Sequence, residues 1–431
     1  MANAFEEIDQ YVIVMMENRS FDHVLGYLSL PPWNANREAV TAFSSASYHS
    51  PSHTGARLRP HRIAREPVDC PDPPHMRRTV WDHLAQRNGQ FQMDGYVRAA
   101  HSPGQAVPAQ PPCLGYLTPD HVPVTHYLAS QFRVCDHWFT PIPTSTHPNR
   151  MMAISGWTPY DETIGQLADL PRTLLDFLTK HHVPWRAFAR RASMFALVTR
   201  YTVEALRGSE RFPPWSELET QWNAPVTGPC VWFLEPGYAD VPWGDYPKED
   251  DHAPLTCAPG QRFLREVYRI VRGNDARWLR TLMILVYDEH GGFFDSVPPL
   301  HIITRAPRVP RMKDQAVFPD FPCTGPRVPA ILISPWVDAA TTATAPLDHT
   351  SILKTLVERF GRDDRGYFVD SSGNECVFSR PVSIVTAEVT RTTPRDVPRD
   401  LPDPPAEPPA IATPDNAMTR AFRRAREVAK V

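Results

Sequence analysis

Two unbroken apolar runs, each ending abruptly in acids, organise this chain. Residues 11–16 lead straight into Glu17-Asn18-Arg19-Ser20-Phe21-Asp22-His23, and residues 282–287 lead into Asp288-Glu289-His290-Gly291-Gly292. A run of six with no polar alternation reads as a strand covered on both faces. The first strand is predicted over 9–16. A third run, 328–333, stops at Ser334-Pro335, and shorter strands are predicted from Val134-Cys135 toward Thr140 and over 183–188. Between these, apolar residues recur at helical spacing over 76–87, 121–133, 173–179, 261–272 and 350–360, with Gly273 and Gly361 closing the last two. Strands alternating with helices predict an α/β fold: a mostly parallel central sheet flanked by helices on both faces.

The intervening stretch 31–75 lacks a sustained period and reads as a long loop over the sheet edge, and 200–255 is again loop-rich. Residues 391–414 are Pro-rich with mixed charge and read as an extended arm. Residues 416–430 suit a basic helix. With Phe422 as its only large apolar side chain, a solvated helix is expected rather than a membrane-surface anchor. The division expected is a catalytic domain over 1–380 and an arm with a short basic helix over 381–431.

Composition narrows the class. The 431 residues are 42% hydrophobic and 22% charged, as in a globular protein, and the net charge of -3 gives no reason to expect nucleic acid as a partner. No apolar stretch reaches membrane-spanning length. No basic and apolar leader precedes the first strand, so the expectation is cytoplasmic, with secretion only if a leader lies upstream of the sequence given. The seven cysteines lack CxxC spacing and are expected to be reduced and mostly buried.

At the carboxyl ends of neighbouring strands in an open α/β sheet, side chains face the reaction crevice. Glu17 and Asn18 at one strand end, with Asp288 and Glu289 at another, would make an oxygen-rich pocket suited to a hard divalent cation of unspecified identity. The competing reading is two strand ends with solvated acids and a helix cap at Asn18 or Ser20. In Thr144-Ser145-Thr146-His147-Pro148-Asn149-Arg150, the prolines at 141, 143 and 148 stiffen a turn that presents hydroxyls. One of these could attack phosphorus, although on composition alone an ordinary Ser/Thr-rich turn is the better reading. His75, His252 and His349 lie near turns or helix starts, where each could bind phosphate or donate a proton. Trp33, Trp138, Trp157, Trp243, Phe293 and Phe294 could line an apolar entrance or simply fill the core.

At these residues the chain resembles the phosphoesterase family of non-specific phospholipases C and related acid phosphatases, within the alkaline-phosphatase-like superfamily. The resemblance runs in order through the 17–23 segment with Gly26, residues 72–75 with Met93-Asp94-Gly95-Tyr96, residues 134–139 with 146–150, Asp251-His252, residues 287–295, residues 327–336 and His349-Thr350-Ser351. It implies an alkaline-phosphatase-like sheet and a metal held by Glu17, Asn18, Asp288 and Glu289. It also implies Thr146 as nucleophile, with His75 and His252 binding phosphate and moving protons, and substrate contacts from His349, Asn149 and Arg150. The family commonly has a histidine after the aspartate of its Gly-Gly-Phe motif; here Ser296 follows Asp295. The expected activity is metal-dependent phosphoester hydrolysis through a phospho-threonine, phospholipase C-like, on a phosphoester substrate that includes phospholipid. The alternatives are an acid phosphatase acting on monoesters, a sulfatase-type relative, and a metal-containing binding protein without turnover.

Overall fold

The computed structural model describes residues 4–43, 48–64, 72–306, 319–406 and 415–431. Its centre is a seven-stranded sheet of β1 (Gln10–Met16), β2 (Arg133–Cys135), β3 (Trp185–Ala189), β4 (Cys230–Glu235), β5 (Thr281–Tyr287), β6 (Ala330–Ile333) and β7 (Thr341–Ala343), in spatial order β3-β4-β1-β5-β6-β2-β7. Every neighbouring pair is parallel except those involving β6, which runs against both β5 and β2. The predicted mostly parallel α/β sheet is therefore present. Tyr11, Val12 and Val14 are wholly buried, as are Leu282, Met283 and Val286, so both faces of β1 and β5 are covered. Each such side chain contributes roughly 1.5–3 kcal/mol by leaving water.

Register explains the site. β1 and β5 pair from Gln10↔Thr281 through to Met16↔Tyr287. The two strands therefore end level, and Glu17 and Asp288 leave the sheet side by side. The Asp288 N–H donates to Met16 O (3.1 Å), which locks that exit.

Eight helices carry the rest of the argument: α1 (Arg77–Leu84), α2 (Pro123–Gln131), α3 (Thr146–Ser155), α4 (Leu174–Lys180), α5 (Thr202–Arg207), α6 (Ala258–Gly273), α7 (Thr350–Phe360) and α8 (Ala417–Ala429). α6 packs on α2, and α7 on α3. Thr173 starts α4 with a capping box, accepting from Asp176 N while the Asp176 carboxylate accepts from Thr173 N.

Two expectations need correction and one needs extension. The loop-rich stretch 200–255 also contains α5 and the unforeseen β4, the buried neighbour of β1. The C-terminal helix is not merely solvated. Met418, Ala421, Phe422, Ala425 and Ala429 are buried, most of them in a cluster with Met194, Leu197, Tyr238 and Val241. The described part of the Pro-rich arm is bound to the body: Arg391 N and Arg395 N donate to Trp336 O and Pro335 O, and Val397 is buried. Cys113, Cys135, Cys230, Cys257 and Cys323 are buried and Cys376 is half-buried; Cys70 lies outside the described residues.

Candidate active site

Beyond Met16 the chain turns sharply. Asn18 adopts φ +57°, a left-handed conformation that Asn tolerates better than most residues. The turn aims the Asn18 N–H at Asp288 Oδ1 (2.9 Å) and its side chain at two other segments. Asn18 Oδ1 accepts from Thr146 Oγ1 (3.1 Å), and Asn18 Nδ2 lies 3.2 Å from His75 Nε2. Thr146 is the first residue of α3, so its hydroxyl sits at the positive end of a helix dipole. The loop after β5 can pass this close because of its glycines. Gly291 has φ +60°, and a Cβ there would lie 2.1 Å from Asn18 O; one at Gly292 would lie 2.7 Å from Pro73 Cβ.

The acids are deeply buried. Glu17, Asp288 and Glu289 have no exposed surface, and neither Glu17 oxygen nor Glu289 Oε1 has a hydrogen-bond partner. Burial pushes all three carboxyl groups above their ordinary values. Arg150 opposes that shift at Glu17 and Asp288: its Nε donates to Asp288 Oδ2 at 3.0 Å, and its Nη2 is 3.6 Å from Glu17 Oε2. Arg150 is also buried against Tyr238, whose hydroxyl is 3.1 Å from Nη1. Three carboxylates, with unspent oxygens on Glu17 and Glu289, beside an amide oxygen fit a hard divalent cation.

Two histidines complete the cluster. His252 Nδ1 lies 3.6 Å from Glu17 Oε1 and 3.9 Å from Asp240 Oδ2, and its Nε2 is 3.5 Å from Asp72 Oδ2. Burial pulls its pKa down, but these carboxylates outweigh burial and raise it well above the ordinary value. His75 behaves likewise: burial is outweighed by Glu289 and Asp72. The two rings are 6.0 Å apart. The His75 side chain is 12% exposed and Asp72 is exposed, so this side marks the mouth of the site.

The structure thus brings Glu17, Asn18, Asp288, Glu289, Thr146, His75, His252 and Arg150 into one neighbourhood. Asn149 and His349 are adjacent but committed elsewhere. The Asn149 amide binds Ile142 N, Thr144 O and Ser145 O, stapling the turn before Thr146. His349 Nε2 contacts Asp288 O (2.7 Å), and its Nδ1 accepts from Trp138 Nε1 (3.1 Å), so both ring nitrogens are spent. Trp138, Phe293 and Phe294 are core residues rather than an entrance.

Sequence reasoning missed Asp240, Asp250 and the role of Arg327. Among the described residues, ligand atoms of Glu17-Asp250-His252 and of Asp72-His75-His252 lie within 4.8 Å of one another. Of the three expected carboxylate ligands, only Glu17 belongs to either group. Arg327, wholly buried, binds Asp22 (3.0 Å), Asp295 (2.8 Å), Thr41 O and Asp136 O, tying the first and fourth motif segments together. Ser296 donates its N–H to Asp22 Oδ2 (2.8 Å) beside this junction.

A family model described as the Phosphoesterase family matches residues 8–362. Non-specific phospholipase C1 of Arabidopsis thaliana is 28% identical over 378 residues, covering 82% of this chain and 67% of its own. Phospholipase C A of Mycobacterium tuberculosis (strain ATCC 25618 / H37Rv) is 30% identical over 400 residues, covering 82% and 73%. Among solved structures, the PsFucS1 sulfatase from Pseudoalteromonas sp. aligns over 89% of this chain and 76% of its own at 9% identity and a TM-score of 0.37. Among the described residues no helix is long and apolar enough to cross a membrane. With a family match running from before β1 through the end of α7, this chain belongs to the phosphoesterase family and is a phosphoric ester hydrolase.

Proposed function

We propose that the chain hydrolyses phosphodiesters in the manner of a phospholipase C, through a covalent phosphate on Thr146. The observation that carries this reading is the hydroxyl of Thr146, 3.1 Å from the side-chain oxygen of Asn18, which follows Glu17, a buried carboxylate with neither oxygen hydrogen-bonded. A structural cation site needs no hydroxyl there; a nucleophile does.

A divalent cation held by Glu17, Asn18, Asp288 and Glu289 would neutralise phosphate charge and ease deprotonation of the attacking hydroxyl. The protein's own groups do the rest. Thr146 Oγ1 gives up its proton to solvent and forms a bond to phosphorus while the bond to the leaving oxygen breaks. His252, held protonated by Asp72, Asp240 and Glu17, donates its proton to that oxygen. His75, beside His252 at the mouth of the site, binds a phosphate oxygen. A water, deprotonated by neutral His252, then attacks phosphorus, and Thr146 regains its proton as phosphate or the phosphorylated head group departs. Arg150 holds Glu17 and Asp288 in place.

The diester preference rests on the names of the two relatives. It is tested by comparing kcat/KM on p-nitrophenyl phosphorylcholine and p-nitrophenyl phosphate, with divalent cation added back after chelation. A higher value for the diester supports the reading. A preference for the monoester makes the protein a phosphatase instead, and no turnover of either with any cation would favour a binding protein.

A further inference from the structure

We propose that Asn416, at the start of the C-terminal helix α8, is a positioning residue for the active site, holding His252 in place through Asp240. The proposal rests on the role given to His252 above. It concerns a segment outside the stretch that the family model matches, which ends at residue 362.

Asn416 caps α8. Its Oδ1 accepts from Thr419 N (2.9 Å) and Thr419 Oγ1 (3.2 Å), which fixes the amide orientation and turns Nδ2 outward from the helix. Nδ2 donates to Asp240 Oδ1 at 2.8 Å. Asp240 is wholly buried; its other oxygen accepts no hydrogen bond and faces His252 Nδ1 at 3.9 Å. Neither His252 ring nitrogen has a hydrogen-bond partner, so the ring is held by surrounding charge: Asp250 nearby, and within 4 Å the three acids Glu17, Asp72 and Asp240. Of these three acids, Asp72 is exposed, and Glu17 belongs to the proposed cation site. Asp240 is the one whose orientation is set by a group outside the site.

The helix also braces the loop that bears Asp240. Tyr238 and Val241, on either side of it, are buried in one cluster with Met418, Ala421, Phe422 and Ala425, and Trp243 meets Phe422 edge-on at 6.2 Å. That loop therefore touches the site twice, Tyr238 at Arg150 and Asp240 at His252. Docking of α8 and geometry of the site are coupled through one short segment.

The test uses the full chain. Asn416→Ser keeps a good helix cap but loses the amide donor; Asn416→Asp keeps the cap acceptor and sets a carboxylate against Asp240. A misplaced proton donor slows departure of a poor leaving group more than a good one. For Asn416→Ser, kcat/KM on phenyl phosphate should fall on the order of tenfold, and on p-nitrophenyl phosphate by less. Asn416→Asp should be worse on both counts, and the Asn416→Ser effect should vanish in a His252→Ala background. The NMR Cε1–H signal of His252, assigned by its loss in His252→Ala, should move in Asn416→Ser. Equal losses on both substrates, a loss that persists without His252, or an unmoved His252 signal would overturn the proposal. If His252→Ala itself shows no leaving-group selectivity, the acid role falls instead, and the NMR signal alone decides whether Asn416 positions that ring.

Discussion

Replacing Arg150 by Met keeps most of the side-chain volume but removes the cation that faces two buried carboxylates. Arg150 is 5% exposed and lies 3.0 Å from Asp288 and 3.6 Å from Glu17, with its guanidinium over the Tyr238 ring at 4.9 Å. Leaving one side of such a pair alone in the interior costs about 3–5 kcal/mol. Set against a total stability of roughly 5–15 kcal/mol, that is a large fraction. At a urea slope of about 3 kcal/mol per M, the midpoint should fall by about 1–1.7 M in chelator. The loss should also depend on pH. Burial raises Glu17 well above its ordinary 4.5 while Arg150 pulls it down. The folded protein therefore keeps a proton that the unfolded chain gives up, and stability falls as pH rises between the two values. Removing Arg150 widens that interval, so the variant should lose more relative to the parent at pH 8 than at pH 5. A loss below about 1 kcal/mol, or one of the same size at both pH values, would refute this account of the buried acids.

Three further outcomes are expected. Gly291→Ala puts a Cβ 2.1 Å from Asn18 O at φ +60°; it should cost about 2–5 kcal/mol from left-handed strain plus overpacking, and most of the activity, with unfolding and turnover measured together. An unchanged enzyme would mean that the loop does not pass so close. Phe422→Ala should destabilise by about 3–5 kcal/mol in denaturant titration, because Phe422 is wholly buried; a loss near zero would mean α8 is not docked. Asp348 is held below its ordinary 3.8, because although burial pushes it up, Arg380 and local hydrogen bonds outweigh burial. Its contribution should be complete above that value and disappear as pH falls through the lowered one, so the stability gap between parent and Asp348→Asn should close in acid; a gap independent of pH would contradict the pairing.

The parts of the site legible in the sequence were those written locally. The apolar runs before Glu17 and Asp288 gave two strands within a residue of their observed limits, and burial on both faces followed from the lack of alternation. Helix α7 was bounded correctly by its spacing and by Gly361. What could not be read was which distant charges meet. Nothing in spacing says that Arg150 will face Asp288, that Arg327 will join Asp22 to Asp295, or that Asp240 will turn toward His252. These contacts depend on loops folding over the sheet. β4 was hidden for another reason: its six residues sit among prolines and turns, and composition of the surroundings outweighed the short run Cys230-Val231-Trp232-Phe233-Leu234-Glu235. For α8 the signal is present in the sequence. Met418, Ala421, Phe422, Ala425 and Ala429 recur on one face, and small alanines let the helix lie close against its neighbours.

The claim on which the mechanism depends is that Thr146 carries phosphate during turnover. Rapid acid quench during hydrolysis of p-nitrophenyl phosphate, followed by peptide mass analysis, tests it directly. The account predicts a single phosphate on Thr146 that is absent from Thr146→Ala, together with loss of turnover in that folded variant. Near-normal turnover by Thr146→Ala, or phosphate trapped on another residue, would contradict it.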